Sequence, residues 1–275
     1  MIDLTIIWAA IIGIAIIAYV IMDGFDLGIG ILFLKLPVGE ERDTAMNSIA
    51  PVWDGNETWL ILGGGGLLAA FPLAYAIILP ALYAPLIAML LALVLRGVAF
   101  EFRWRDPLHR PIWDSAFHVG SLVAAFAQGV ALGALLQGIT INGRAYAGGW
   151  WEWLSPFSLL TGAALVTGYV LLGACWLIWK TQGALQVRAY RTAQLAGAGL
   201  LLAIVAVSAA TLTLEPQYYH RWLAFPGILA TAQVPLASLV VSIIFFRSLA
   251  QRRELTPFLL ALALFGLSII GLGIS

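Results

Sequence analysis

Acidic side chains lie at one end of the first three apolar segments of this 275-residue chain. There are five: Asp23, Asp26, Asp54, Glu57 and Glu101. An ionisable group at membrane depth costs free energy, so such a cluster indicates a functional site. Several partly buried carboxyl groups in series can pass protons from one to the next. The cluster therefore predicts proton transfer, with substrate binding as an alternative.

In the first two apolar segments the acids come in pairs. Asp23 and Asp26 are three residues apart, as are Asp54 and Glu57, so each pair shares one face of a helix. A simpler interpretation is that all the acids lie in headgroup water and cap helices. Asp54 and Glu57 suit that role, because acids favour helix N-termini. The spacing alone leaves both interpretations open.

The third segment ends in an acid with a basic residue nearby. Glu101 is preceded five residues earlier by Arg96. This separation is about 7.5 Å of helix rise, so Arg96 can counter a buried carboxylate. We expect Arg96 to support the acidic site.

The elements that hold these residues are predicted by composition. The chain is 62% hydrophobic and 10% charged, with a mean hydropathy of +0.97, which leaves too few charges for a water-soluble surface. Apolar runs of about 20 residues predict membrane helices. We count eight such runs, at 4–22 (trailing to 34), 57–79, 80–100, 114–138, 156–179, 195–214, 222–246 and 257–275. The predicted fold is an all-α polytopic membrane protein with about eight transmembrane helices, arranged as two four-helix bundles within a single transmembrane domain, 1–275.

Basic residues predict the orientation in the membrane. If the N-terminus lies outside, eleven of the fourteen Lys and Arg residues lie on the cytoplasmic side. They are Lys35, Arg42, Arg103, Arg105, Arg110, Lys180, Arg188, Arg191, Arg247, Arg252 and Arg253. The positive-inside rule therefore places the N-terminus on the periplasmic or outer side. A formal net charge of zero argues against a nucleic-acid partner.

The first span is unusual in length and glycine content. The run 4–34 would be about 46 Å long as a helix, which exceeds a bilayer core of about 30 Å. We expect it to be broken at 22–30, where glycines let a helix bend or a neighbouring backbone approach. Four glycines at 63–66 predict a flat helix face. Broken helices also mark transporter sites, so a proton- or cation-coupled transporter is the second hypothesis.

Histidine and cysteine give weak signals for a metal or haem. His109 and His220 lie in predicted connections, and His118 lies inside a span with Asp114 four residues before it. His118 fits a polar face, a second proton path or a haem ligand, but it has no partner histidine at helical spacing. Cys175 is the only cysteine and is expected to be a buried apolar residue. No redox or phosphate-binding motif is present, so the chain alone has no evident means of handling electrons.

Two sequence runs resemble a known family. The runs MDGFDLGIG at 22–30 and NSIAPVWDGNE at 47–57 resemble subunit II of the cytochrome bd-type quinol oxidases. The runs 63–75 and 96–103 fit the same pattern, and the Arg-Gly pair at 96–97 is most similar to the cyanide-insensitive branch. The resemblance is specific over the first hundred residues and lies mainly in hydropathy and spacing beyond them.

The resemblance implies a bacterial respiratory complex that oxidises quinol and reduces oxygen to water. It implies a haem-bearing subunit I that ligates haem b and haem d, with this chain as its haem-free partner in the plasma membrane. Quinol, oxygen, membrane lipid and small accessory subunits are the other implied partners. This chain would support the haem sites and line a proton path from the cytoplasm. Asp54 and Glu101 match the acidic positions that the family implies for proton uptake, with Asp23 and Arg96 nearby.

The C-terminal end departs from the family pattern. Members usually continue past the last span seen here into another helix and a cytoplasmic tail, whereas this sequence reaches Ser275 inside an apolar run. We therefore expect a further C-terminal helix to be lacking.

Overall fold

The chain folds into helices joined by short connections. The structure is a computed structural model that describes residues 3–214, 222, 225 and 227–274. Its α-helices are α1 (Leu4–Leu32), α2 (Glu40–Ile49), α3 (Trp53–Ala70), α4 (Pro72–Ala81), α5 (Tyr83–Arg105), α6 (Arg110–Leu136), α7 (Pro156–Lys180), α8 (Gly183–Thr211), α9 (Ile228–Thr231), α10 (Gln233–Ala250) and α11 (Leu255–Ile274). Single 3₁₀ turns lie at Phe33–Lys35 and Pro107–His109. A short antiparallel hairpin pairs β1 (Ile141–Asn142) with β2 (Ala145–Tyr146).

Within the described residues, six helical segments are long and apolar enough to cross a membrane. They are Leu4–Lys35, Tyr83–Arg105, Pro107–Gln137, Pro156–Lys180, Gly183–Thr211 and Gln233–Ala250. This confirms the prediction of an all-α, multi-pass membrane protein. The two other predicted spans correspond to α3, which carries acids and glycines, and to α11, whose apolar part is shorter. The count of eight therefore stays a prediction.

Some predicted boundaries are wrong. The run 57–79 is divided between α3 and α4, because Phe71 leaves helical geometry (φ −131°, ψ 60°) and Pro72 begins the next helix. The structure also begins α8 at Gly183 instead of at residue 195.

The predicted break in the first span is also wrong. Helix α1 runs continuously from Leu4 to Leu32, and the Asp3 carboxylate caps it by accepting a hydrogen bond from Thr5 N (2.9 Å). Its glycines serve close packing instead. A Cβ on Gly28 would lie 1.9 Å from the Tyr169 carbonyl oxygen. The backbones of α1 and α7 are therefore in contact, and an interrupted helix no longer supports the transporter hypothesis.

The run of four glycines in α3 has two different surroundings. Cβ atoms on Gly63 and Gly66 would lie 3.2 and 3.1 Å from side-chain atoms of Ile16 and Ile12 on α1. Positions 64 and 65 have open space around them. The flat face therefore packs against α1 on one side and is uncovered on the other.

Helices α1, α6 and α7 form the centre of the packing and contact one another. Helix α1 also contacts α3, and α5 packs against α6. Helices α7 and α8 pair with each other, as do α10 and α11, and α11 also contacts α7. Because α7 packs extensively against both α1 and α6, the contacts do not divide the helices into two separate sets, and the arrangement as two four-helix bundles stays a prediction. The aromatic rings of Phe25 and Trp176 stack at 4.1 Å between α1 and α7.

The two ends of the bundle differ in charge. We call the end at which α1, α5, α7 and α10 finish the basic end, because Lys35, Arg105, Lys180 and Arg247 lie there. The opposite end carries the β1–β2 hairpin and is called the hairpin end.

Candidate functional site

A buried arginine joins acids from two other helices. Helix α5 places Arg96 nine residues, or about 13 Å of helix rise, from Arg105 at the basic end. Its Nη1 atom lies 2.7 Å from Asp23 Oδ1 on α1, and its Nη2 atom lies 2.9 Å from Glu57 Oε1 on α3. Arg96 and Asp23 are 2% and 1% exposed, whereas the Glu57 side chain is 28% exposed. The guanidinium group thus connects a fully buried carboxylate to one that reaches the surface of the chain.

A third acid lies beside this pair without a cation of its own. Asp26 is fully buried one turn along α1 from Asp23. Its Oδ2 atom accepts a hydrogen bond from Asn56 Nδ2 (2.7 Å), which also donates to the Met22 carbonyl oxygen (3.2 Å). Within the described residues Asp26 makes no ion pair, and Asp26 Oδ1 and Asp23 Oδ2 have no hydrogen-bond partner. Each of these oxygens needs a donor, which a carboxyl proton can supply.

The charge balance of the cluster determines its chemistry. The cluster contains three carboxyl groups, those of Asp23, Asp26 and Glu57, and one guanidinium group, that of Arg96, which pairs with Asp23 and Glu57. An uncompensated charge in a low-dielectric interior is costly, so the cluster as a whole gains by taking up positive charge. A proton is the smallest positive charge that can reach such a site. The arrangement is therefore suited to binding protons.

A separate group of hydrogen-bonded side chains lies beside the cluster, toward the hairpin end. Tyr19 lies on α1 one turn before Asp23, and its hydroxyl oxygen accepts a hydrogen bond from Gln128 Nε2 on α6 (2.7 Å). Tyr169 on α7 donates to Gln128 Oε1 (2.8 Å). Both tyrosines are buried. Helices α1, α6 and α7 are thus held in register by polar groups. A glutamine inside an apolar helix, such as Gln128, is a sequence signal for interhelical hydrogen bonds of this kind.

The two acids that the resemblance favoured lie at the surface of this chain. Asp54 is exposed on the first turn of α3, one turn before Glu57. Glu101 has a 57% exposed side chain, and its nearest cation is Arg105 at 3.7 Å. The structure thus groups Asp23, Asp26 and Glu57 around Arg96 and leaves the other two acids outside that group. Since Asp23 and Asp26 are buried, not all of the acids lie in headgroup water.

A second ionic network, at the basic end, was missed by sequence reasoning. Asp114 Oδ2 lies 2.6 Å from Arg42 Nη1, and Asp114 Oδ1 lies 2.5 Å from Arg103 Nε. Arg103 Nη1 also pairs with Asp43 Oδ1 at 2.7 Å, and both arginines lie over the Phe33 ring. The network ties α2 to α5 and α6. Its signal was faint, because Arg42, Asp43 and Arg103 looked like ordinary loop charges and Asp114 was grouped with His118. In addition, 72 residues separate Arg42 from Asp114.

Two of the three histidines lie in the described part of the chain. His118 is half-buried with Nδ1 3.2 Å from the Gly30 carbonyl oxygen, and His109 is exposed beside Asp106. His220 lies outside the described residues. Within the described part of the chain, no three His, Cys, Asp or Glu side chains are arranged to hold a metal ion. Cys175 is fully buried, as expected.

Two groups outside the spans have shifted pKa values with local causes. At Asp106, desolvation by itself would raise the pKa of the carboxyl group. Hydrogen bonds from Trp113 and His109 have the larger combined effect and lower this pKa below its usual value. Burial, followed by the hydrogen bond to Glu152, raises the pKa of Tyr146 in the hairpin to about 12. Neither group belongs to the buried cluster.

Fold and site together define a multi-pass membrane protein with an acidic cluster buried among its helices. Residues 4–275 match the family described as cytochrome bd terminal oxidase subunit II, and the chain belongs to this family. The resemblance noted in the sequence is therefore confirmed.

Two similar proteins are described as the same type of subunit. The chain is 39% identical over 198 residues to the cytochrome bd-I ubiquinol oxidase subunit 2 of Escherichia coli (strain K12), covering 69% of this chain and 52% of the relative. It is 32% identical over 241 residues to the cytochrome bd ubiquinol oxidase subunit 2 of Bacillus subtilis (strain 168), covering 85% of this chain and 68% of the relative. The chain thus spans about half the length of the E. coli relative.

A solved structure has the same fold. The bd oxidase from Geobacillus thermodenitrificans superposes with a TM-score of 0.78 at 18% identity, over 98% of this chain and 84% of the other. At that identity the similarity shows the fold alone.

Proposed function

We propose that this chain is the haem-free subunit II of a bacterial bd-type terminal oxidase, which couples quinol oxidation to the reduction of oxygen to water. Haem b and haem d are held by subunit I, and small accessory subunits complete the complex. Family membership and the names of the relatives support this assignment. No step involving haem is assigned to this chain.

The contribution of this chain to the reaction is a proton path. Reduction of oxygen to water consumes one proton for each electron, so the complex needs a route for protons. Asp54 and Glu101, at the surface of the basic end, collect protons from water. Glu57, one turn after Asp54, passes them inward to Asp23 and Asp26. The observation that carries this proposal is the sharing of Arg96 between Asp23 and Glu57, with Asp26 unpaired beside them.

The proposal also places the chain in the membrane and against its partner subunit. The basic end faces the cytoplasm of a bacterial plasma membrane, because Lys and Arg are concentrated there. The N-terminus then lies on the outer side, and the whole chain forms one transmembrane domain. Helix α3 is less apolar than the six spans and leaves Gly64 and Gly65 uncovered. This face suits contact with the haem-bearing subunit better than contact with lipid.

The buried acids provide the first test. We expect Asp23→Asn, Asp26→Asn and Glu57→Gln, each in the complex with its haem-bearing subunit, to slow oxygen consumption on the order of 10-fold or more, as loss of a proton-transferring group does. Proton uptake by proteoliposomes should fall in parallel, and haem absorption should be unchanged. Glu40→Gln removes an exposed acid at the same end and should have no effect.

The outcomes separate transport of protons from structural support. Unchanged turnover and proton uptake in all three variants would refute the proton path. A purely structural role would give a different result: the variants would lose haem absorption, while the complexes that still contain haem would consume oxygen at the normal rate.

The exposed acids are tested separately. We expect Asp54→Asn and Glu101→Gln to slow oxygen consumption while the chain still inserts, because they remove groups that collect protons from water. Since both acids are accessible, a high concentration of a mobile buffer should restore part of the rate by delivering protons directly to Glu57. Oxygen consumption equal to that of the unchanged complex at low buffer concentration would exclude this role.

A further inference from the structure

A cavity at the basic end lies apart from the acidic cluster. It has a volume of about 240 Å³ and opens between the end of α1, the end of α7 and the first turns of α8. Its walls are mostly apolar, formed largely by Leu32, Leu36, Leu177 and Leu185. The first span ends at Lys35 and the span of α7 ends at Lys180, so the cavity lies at the level where the membrane meets water.

Three basic side chains line the same cavity. Lys35 comes from the end of α1, and Arg188 and Arg191 come from α8. All three are exposed. The Arg188 Nε atom lies 3.3 Å from Glu41 Oε2, whereas neither Lys35 nor Arg191 makes an ion pair within the described residues. No acid lines the cavity there, so at least two positive charges are available to a ligand.

The combination of apolar walls and free cations restricts the chemistry of the ligand. A water-soluble phosphate compound would account for the cations but not for the leucine walls. An acyl chain alone would account for the leucines but not for the cations. Basic pockets between membrane helices at the headgroup level bind anionic lipid headgroups. Lys180, 3.5 Å from the centre of the Trp179 ring, marks the same level of the bundle.

We propose that this cavity binds one anionic phospholipid from the leaflet at the basic end. Its phosphate group contacts Lys35 and Arg191, with Arg188 beside them, and the start of an acyl chain lies along the leucines. The bound lipid joins the end of α1 to the first turns of α8. This site is independent of the proton path, so it can be present whether or not the proposed function holds.

The experiment measures lipid binding to the purified complex. Delipidated complex in detergent is titrated with phosphatidylglycerol and bound lipid is counted by native mass spectrometry. For Lys35→Gln/Arg191→Gln we expect the affinity to fall about 25-fold, since each basic residue near an anionic headgroup contributes about 1 kcal/mol, or roughly fivefold. The matched control Arg247→Gln/Arg253→Gln removes two exposed charges at the same end outside the cavity, and its affinity should change less than about twofold.

Additional arms identify the source of the phosphate group and check the fold. Phosphatidylcholine, which has no net charge, should not compete. Lys35→Arg/Arg191→Lys keeps both charges and should retain binding, which controls for a folding defect. Equal phosphatidylglycerol binding by the unchanged complex and the glutamine variant would overturn the proposal. Glycerol phosphate or inorganic phosphate displacing the lipid at similar concentrations would also overturn it, in favour of a soluble ligand.

Discussion

At the scale of single residues, Arg96 is the group on which the buried cluster depends. Its planar guanidinium presents separate N–H groups to Asp23 on α1 and to Glu57 on α3. A lysine ammonium group is a point charge and could not span both acids in the same geometry. The residue therefore holds two helices together and sets the charge of the site.

Removing Arg96 should reveal how strongly the cluster depends on it. Arg96→Gln leaves three acids without a cation, and we expect a loss of about 3–5 kcal/mol in stability, as for other broken buried ion pairs. Arg105→Gln breaks the exposed Arg105–Glu101 pair and should cost no more than about 0.5 kcal/mol. Thermal denaturation of the purified complex at one detergent concentration measures both. A loss for Arg96→Gln as small as that for Arg105→Gln would contradict the buried ion pair.

The sequence revealed some members of the cluster and hid others. Charged residues within apolar runs are visible, so Asp23, Asp26 and Arg96 could be found by inspection. Asn56 could not, because an amide near the start of a helix looks like a capping residue, and its partner Asp26 is 30 residues away. Spacing also could not show that Glu57 is part of the cluster and Asp54 is exposed, because it does not indicate which side of the helix packs against other helices.

At the scale of elements, the contact between α1 and α7 depends on glycine. Gly28 lies against the Tyr169 carbonyl group, and a Cβ on Gly173 would lie 2.5 Å from the Gly28 carbonyl carbon. Only residues without a Cβ allow two helix backbones to approach so closely. The Phe25–Trp176 stack adds an aromatic contact one turn away.

A pair of glycine substitutions in α1 tests this contact. Gly28→Ala places a methyl group against the α7 backbone, so we expect a loss of about 1–3 kcal/mol or more from overpacking. Gly13→Ala lies in the same helix with nothing within 4 Å and should be neutral or stabilise by up to about 1 kcal/mol. Melting temperatures of the two purified complexes give the comparison. Equal melting temperatures would mean that the helices are further apart than described.

Hydropathy predicted the helices better than their ends. The first turns of α8 carry Gln186, Arg188 and Arg191 and extend beyond the apolar run, so a hydropathy pattern starts the helix too late. The division between α3 and α4 depends on the backbone of one residue, Phe71, within a uniformly apolar stretch. Hydropathy indicates whether a segment lies in lipid or in water. The ends of helices are set by local backbone geometry instead.

At the scale of the whole molecule, the unequal charge of the two ends leads to an orientation that can be measured. We expect Asn142→Cys, in the hairpin, to react with a membrane-impermeant maleimide on intact cells. Glu40→Cys, at the basic end, should react only after permeabilisation. Both positions are exposed, and the natural Cys175 is fully buried and so gives little background labelling. The opposite labelling pattern would reverse the proposed direction of proton uptake.

The close contact of two helix backbones at Gly28 bears on how protons would move along the proposed path. With no side chain between them, α1 cannot slide or turn past α7 without a steric clash. We therefore expect Asp23 and Asp26 to stay at a fixed depth, so that each step of the proposed proton transfer consists of rotamer changes and hydrogen-bond exchange without movement of the helices. We accordingly expect the respiratory rate to be nearly unaffected when the complex is moved between bilayers of different thickness.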